Sequence, residues 1–188
     1  MSTRTTRERQ VAAVVPEPRV KCMFPDRTMH IVDIENLVGS AVCGPIDVSD
    51  VCVRYRATSG FKVGDLVTVA SSPFAAVQGA QYAWEDGWGG RPEWKLRGGE
   101  HGADLELLDS LRPADIVPRF GRVVIGSGDG IFARSCLDLW KAGVDVTVVA
   151  RNASSLSART CAYAIDIRLL DLGSDFAPNV SDTTELHV

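Results

Sequence analysis

Long hydrophobic runs are missing from this sequence. None approaches the roughly 20 residues that a membrane-spanning helix requires, so that class is excluded. The opening stretch, MSTRTTRERQ, is polar, and no hydrophobic signal-peptide segment follows it, so a cytoplasmic chain is expected. Charge of one sign is missing as well. The 20 Lys and Arg against 24 Asp and Glu leave a formal net charge of -4, so no global basic field points to a polyanion. Cysteine is sparse: Cys22, Cys43, Cys52, Cys136 and Cys161 are scattered, odd in number and without a Cys-x-x-Cys pair. They read as reduced thiols rather than a disulfide framework or a zinc site. Internal repeats and low-complexity blocks are also missing, which excludes a solenoid.

What is there is enough for one ordinary domain: 188 residues, of which 45% are hydrophobic. Its most legible stretch is Arg122 to Arg151. Val123, Val124 and Ile125 form an apolar run that stops at Gly126, as expected of a strand buried on both faces of a parallel sheet. Gly126 to Gly130 turn the chain. Phe132, Cys136, Leu139 and Trp140 then recur at helical spacing until Gly143, and Val144, Val146, Val148 and Val149 make the next strand. This is a βαβ unit, and in such units ligands collect at the carboxyl ends of the strands. Asp129 falls at that place.

The rest of the chain alternates in the same way. Residues 1–27, with Arg4, Arg7 and Arg9, read as a flexible basic arm that could touch nucleic-acid phosphates. Met29–Val32 reads as the first strand, followed directly by Asp33-Ile34-Glu35-Asn36. A helix is expected from Asp47 to Arg56, a strand from Asp65 to Ala70 and a helix from Phe74 to about Trp84. A glycine- and tryptophan-rich turn, Gly87–Pro92, leads to a short strand at Glu93–Arg97. Asp104 lies in the first turn of a helix that Pro113 ends. Ser157–Leu172 reads as a last helix, or a helix and strand, with Ala162, Ile165 and Leu169 on the core. Residues 173–188 read as a loose tail, leaving a domain at 28–172. The alternation predicts a three-layer α/β/α fold with a mostly parallel sheet of about five strands.

Asp33, Asp104 and Asp129 occupy equivalent positions at one edge of this expected sheet. A carboxylate just past a buried strand is expensive unless solvated or paired, although a helix cap is the plain alternative for Asp33 or Asn36. Three such groups meeting without a basic partner call for a divalent cation. Oxygen ligands select hard ions, so Mg²⁺ or Mn²⁺ is expected, with phosphodiester hydrolysis as the matching chemistry.

VDIEN at 32–36, HGAD at 101–104 and VVIGSGDGIF at 123–132 resemble, in order and spacing, the three acidic motifs of the NYN domains, PIN-like ribonucleases of the LabA-related group. The likeness continues through KAGVDVTVVA and SLSARTCAYAIDIRLL, covering about residues 30 to 170. It implies a PIN-like Rossmannoid fold and metal-dependent cleavage of RNA. It implies that Asp33, Asp104 and Asp129 are catalytic metal ligands, and that Asn36 orients Asp33 or contacts substrate. A homodimer is a further partner to consider. Two positions depart from the pattern: Ile131 stands where the family commonly has a second acid, and His101 where it commonly has lysine. The first leaves open one metal, recruitment of Glu35 or Asp109, or a binding-only relative that keeps the fold without catalysis.

Other residues carry two readings each. His101 contacts a phosphate or is an exposed loop histidine. Ser127 bonds a phosphate or metal-bound water, or is a turn residue. Backbone N–H groups at Gly128–Gly130 could hold a phosphate oxygen. Arg134, with Arg97 and Arg151, lines a substrate groove or is solvated, and Trp84, Trp88 and Trp94 stack on bases or pack internally. No partner is evident for His30 or His187. The rival class is a dinucleotide-binding unit, since Gly126-Ser127-Gly128 opens a glycine-rich fingerprint and Arg151 suits a 2′-phosphate. Against it, the run is GxGxG and not GxGxxG, and Asp129 would face the pyrophosphate.

Overall fold

A computed structural model describes residues 22–170 and Leu172. The basic arm (but for its last residues), the tail 173–188 and His187 lie outside the described residues. The chain begins its sheet with β1 (Thr28–Asp33), every residue of which is buried. Alternation along such a strand serves two cores at once. Met29 and Ile31 face one side, and His30 and Val32 the other.

The chain then runs through α1 (Ile34–Val38), α2 (Pro45–Ser59) and β2 (Leu66–Ser71). It continues into α3 (Pro73–Val77), α4 (Ala80–Trp88) and β3 (Glu93–Leu96). After α5 (Gly102–Ser110) and α6 (Pro113–Ile116) it returns to the middle of the sheet as β4 (Arg122–Gly126). A 3-10 turn (Gly130–Phe132), α7 (Ala133–Lys141), β5 (Asp145–Ala150), α8 (Ala158–Cys161) and β6 (Asp166–Leu169) complete it. The sheet has six strands in the order β3-β2-β1-β4-β5-β6, all parallel. Helices cover both faces, giving the three-layer α/β/α arrangement with one strand more than expected.

Two cores hold the layers together. On one face, α1, α2 and α4 pack Leu37, Val48, Tyr55 and Trp84 onto Val32, Val69 and Val124. On the other, α5, α6, the 3-10 turn and α7 pack Leu107, Ile116, Phe132 and Leu139 onto Ile31, Ile125 and Val146. Trp84 and Trp88 stack at 5.8 Å between ring centroids, and Phe61 lies 4.2 Å from Trp88. Both tryptophans are buried, so neither is a platform for bases, and Trp94 is half-buried against the same core. His30 is fully buried and partnered: Nδ1 lies 3.1 Å from the Tyr55 hydroxyl and Nε2 3.4 Å from Asp65 Oδ2. Its aromatic surroundings keep it below the ordinary histidine pKa, despite the carboxylate.

Several boundaries differ from the sequence reading for identifiable reasons. The helix expected from Phe74 to Trp84 is split, because Gly79 adopts a left-handed conformation (φ 91°) between α3 and α4. The glycine- and tryptophan-rich turn gives only Gly87 and Trp88 to the end of α4, and Gly89 caps that helix. Pro113 does not end α5, which stops at Ser110; it opens α6 at a position where its missing N–H costs nothing. The last helix is a single turn, and the chain from Asp166 pairs with β5 as an edge strand. Ile165 and Leu169 are consequently exposed, Ala162 is exposed too, and Leu170 takes the core position instead.

Candidate active site

β1 and β4 are neighbours, and the chain leaves them toward opposite edges of the sheet. That makes their carboxyl ends the switch point of the fold, where open α/β sheets form a crevice. Asp33 is the last residue of β1 and the cap of α1; its Oδ1 accepts a hydrogen bond from the Asn36 N–H at 3.1 Å. Asn36 in turn accepts from the Gly128 N–H at 3.0 Å, which buckles α1 to the glycine turn after β4. Asn36 lines the site but its carbonyl is committed to this backbone contact.

Ser127, expected at the substrate, is fully buried beneath the site. Its hydroxyl donates to Asp33 Oδ2 at 3.5 Å and accepts from the Asp129 N–H at 3.2 Å, so it joins two acids rather than facing solvent. The Gly128 N–H is thereby spent on Asn36 of α1 and the Asp129 N–H on Ser127. Asp129 Oδ1 accepts from the Ile131 N–H at 2.9 Å and caps the 3-10 turn. Two of the three N–H groups expected for a phosphate at Gly128–Gly130 are therefore already bonded within the protein.

The third acid arrives from the connection between β3 and α5. His101 there has φ 56°, the only positive φ among the described non-glycine residues. Gly102 follows because a Cβ would collide with the Arg97 carbonyl. This close passage drops Asp104 into the cleft, where it is 8% exposed. Its Oδ2 lies 3.3 Å from His101 Nδ1, while its Oδ1 is buried with no hydrogen-bond partner. An orphaned carboxylate oxygen in such a place is costly unless something else neutralises it. Asp33 responds to the same surroundings. Burial first, and then the charge of Asp104, push its carboxyl well above the ordinary carboxylate range, against the stabilising Asn36 N–H.

Asp33, Asp104 and Asp129 line one cavity of about 250 Å³, together with Glu35, Asn36, Arg97 and His101. Arg97 is among the lining residues, and its guanidinium lies 3.5 Å from Glu106. Ser72 also lines the cavity, and its N–H donates to Glu35 Oε1 at 3.0 Å. The sequence signal for Ser72 was its place between a buried strand and a proline, the mark of a helix cap at a carboxyl edge. Asp109, weighed as a substitute acid, is exposed and bonded to Arg112 at 3.1 Å. Ile131 faces a different cavity. Arg134 also lies in that cavity and not among the acids, and Arg151 lines a third that shares Glu35 and Asn36 with the first.

Asp33 and Asp104 offer oxygen donors of the kind a hard divalent cation takes, and their two buried charges side by side are costly unless a proton or a cation lies between them. As they stand, no group of three or more His, Cys, Asp or Glu among the described residues is arranged to hold a metal ion. The buried thiols Cys43, Cys52 and Cys136 are pushed up to about 12 by burial, which removes them as ligands or nucleophiles near neutrality. No described helix is long and apolar enough to cross a membrane. Comparison with protein-family models and with curated proteins gave no match.

Proposed function

We propose that this chain is a cytoplasmic, metal-dependent endoribonuclease of the NYN type. The observation that carries the reading is the single cavity at the carboxyl ends of β1 and β4, lined by acids from three separate stretches, with a buried unpartnered oxygen on Asp104. Asp33 and Asp104 would hold Mg²⁺ or Mn²⁺. Bound there, such an ion supplies the positive charge that polarises a phosphate and lowers the pKa of a water. His101 holds the Asp104 carboxylate in place, and Ser127 does the same for Asp33. Asp129, only partly buried on its turn, faces the same space and completes the acidic wall. Arg97, also in the lining, attracts the substrate phosphate, which the aspartates alone would repel.

The test is hydrolysis of unstructured RNA by the full chain with Mn²⁺. The reading expects cleavage that EDTA abolishes and that Asp33→Asn, Asp104→Asn and Asp129→Asn each reduce by about a hundredfold or more. Wild-type levels of cleavage in all three variants would contradict it.

A binding-only relative is the second reading, and Ile131 is the observation that favours it: the position of an expected acid carries an apolar side chain turned into another cavity. RNA binding without cleavage under any divalent ion would select that reading. The dinucleotide reading has less support. The glycine turn after β4 spends its Gly128 and Asp129 N–H groups on Asn36 and Ser127 and carries Asp129, where a pyrophosphate would need free N–H groups and positive charge.

A further inference from the structure

Arg134 was expected beside substrate, yet it lines a second cavity of about 520 Å³ immediately past the acid site. Gly130 borders this cavity and Asp129 the first, so the two are separated by one peptide link. We propose that this second cavity, walled by Ile131, Arg134, Leu137, Arg159 and Tyr163, is a subsite for the nucleotide that flanks the phosphate held at the aspartates. The inference rests on the nuclease reading and adds to it where the single-stranded RNA runs.

The wall has the two components that single-strand binding needs. Arg134 and Arg159 supply guanidinium groups for phosphate oxygens. Arg159 is exposed and makes no ion pair among the described residues. Arg134 uses Nε on Asp138 at 2.8 Å, which leaves its terminal nitrogens for a ligand. Tyr163 is half-buried, with its ring 6.5 Å from that of Trp140, and Ile131 and Leu137 continue the apolar surface. Such a surface receives the face of a base without selecting its identity.

The cavity is also mechanically joined to the acid site. The Ser157 N–H donates to the Gly128 carbonyl at 2.8 Å, and Thr160 Oγ donates to the Asp129 carbonyl at 2.7 Å. A Cβ at Gly130 would come within 2.8 Å of Ser157 Oγ, so the two segments pass close to each other. α8, which carries Arg159, is therefore pinned to the turn that carries Asp129. A strand lying across both cavities meets one fixed surface.

The test measures binding of a short, unstructured, fluorescent RNA to the full chain in EDTA, where cleavage is off, together with cleavage in Mn²⁺. Arg159→Ala and Tyr163→Ala should each weaken binding by about tenfold, and Tyr163→Phe should retain it. Arg159→Ala should also lower the dependence of log affinity on log salt by about one unit. Because Tyr163 is partly packed, Arg159→Glu, an exposed change, serves as the variant that does not disturb folding. If wild type binds and cleaves RNA while Arg159→Glu and Tyr163→Ala bind as wild type does, the subsite is refuted and the nuclease reading stands. If wild type neither binds nor cleaves, both fall.

Discussion

Asp33 is the residue at which the chemistry of the cleft is most concentrated. Its carboxyl is buried, faces Asp104, and is held well above the ordinary carboxylate value of about 4. In the unfolded chain it returns to that value. The folded state therefore binds the proton more tightly, and the stability this provides is present in acid and lost as pH rises through the raised folded value. Asp33→Asn removes the titration while preserving shape. The difference in melting temperature between Asp33→Asn and wild type, measured without divalent ions, should shift in favour of the variant as pH rises from about 5 to 8. A difference independent of pH would contradict this. Mn²⁺ should raise the melting temperature of wild type more at the upper end of that range, where less proton must be displaced, and should leave Asp33→Asn nearly unchanged. That the three aspartates line one cavity was legible in sequence, because each lies just past a buried strand or in a first helical turn at the same sheet edge; Asp33 and Asp129 also cap the turns that follow them, an alternative weighed there for Asp33. Arg97 and Arg134 were not distinguishable, because one-dimensional spacing does not say into which of two adjoining hollows a long side chain reaches.

At the scale of elements, short contacts between turns decide the geometry. Asn36 ties α1 to the turn after β4 through a single 3.0 Å bond to the Gly128 N–H. Gly128 is buried, so Asn36→Ala leaves that N–H unsatisfied and should cost about 1–3 kcal/mol in denaturant unfolding, with a weaker response to Mn²⁺. Gly79 is the complementary case. Its left-handed backbone separates α3 from α4 outside the lining of the acid cavity, so Gly79→Ala should destabilise by about 1 kcal/mol and leave metal-dependent stabilisation intact. Element types were legible wherever apolar residues kept one period, as in Val123–Ile125 and Val146–Val149. They were not legible where a tertiary partner outvoted local pattern. Ala158–Leu169 has enough alanine for a helix, but the open edge of β5 draws Asp166–Leu169 into the sheet.

The whole molecule is a sheet whose reversal of strand order creates the cleft, and both cores serve to hold that reversal fixed. Trp84 anchors the α2–α4 side with its side chain fully buried. Trp84→Ala should cost about 3–5 kcal/mol in chemical denaturation, without moving the acids on its own account. The layered architecture was legible from the alternation alone, since continuous apolar strands between amphipathic helices leave few other arrangements. The sixth strand was legible only as one of two alternatives, a last helix or a helix and strand, because β6 is half-exposed at the edge and lacks a buried strand's apolar run. The account stands on Asp33 and Asp104 sharing a cation, and anomalous diffraction from crystals of the full chain soaked in Mn²⁺ tests it most directly. The prediction is a peak within bonding distance of Asp104 Oδ1 and an Asp33 oxygen, absent in Asp104→Asn. A fully soaked crystal with no peak in this cavity would contradict it.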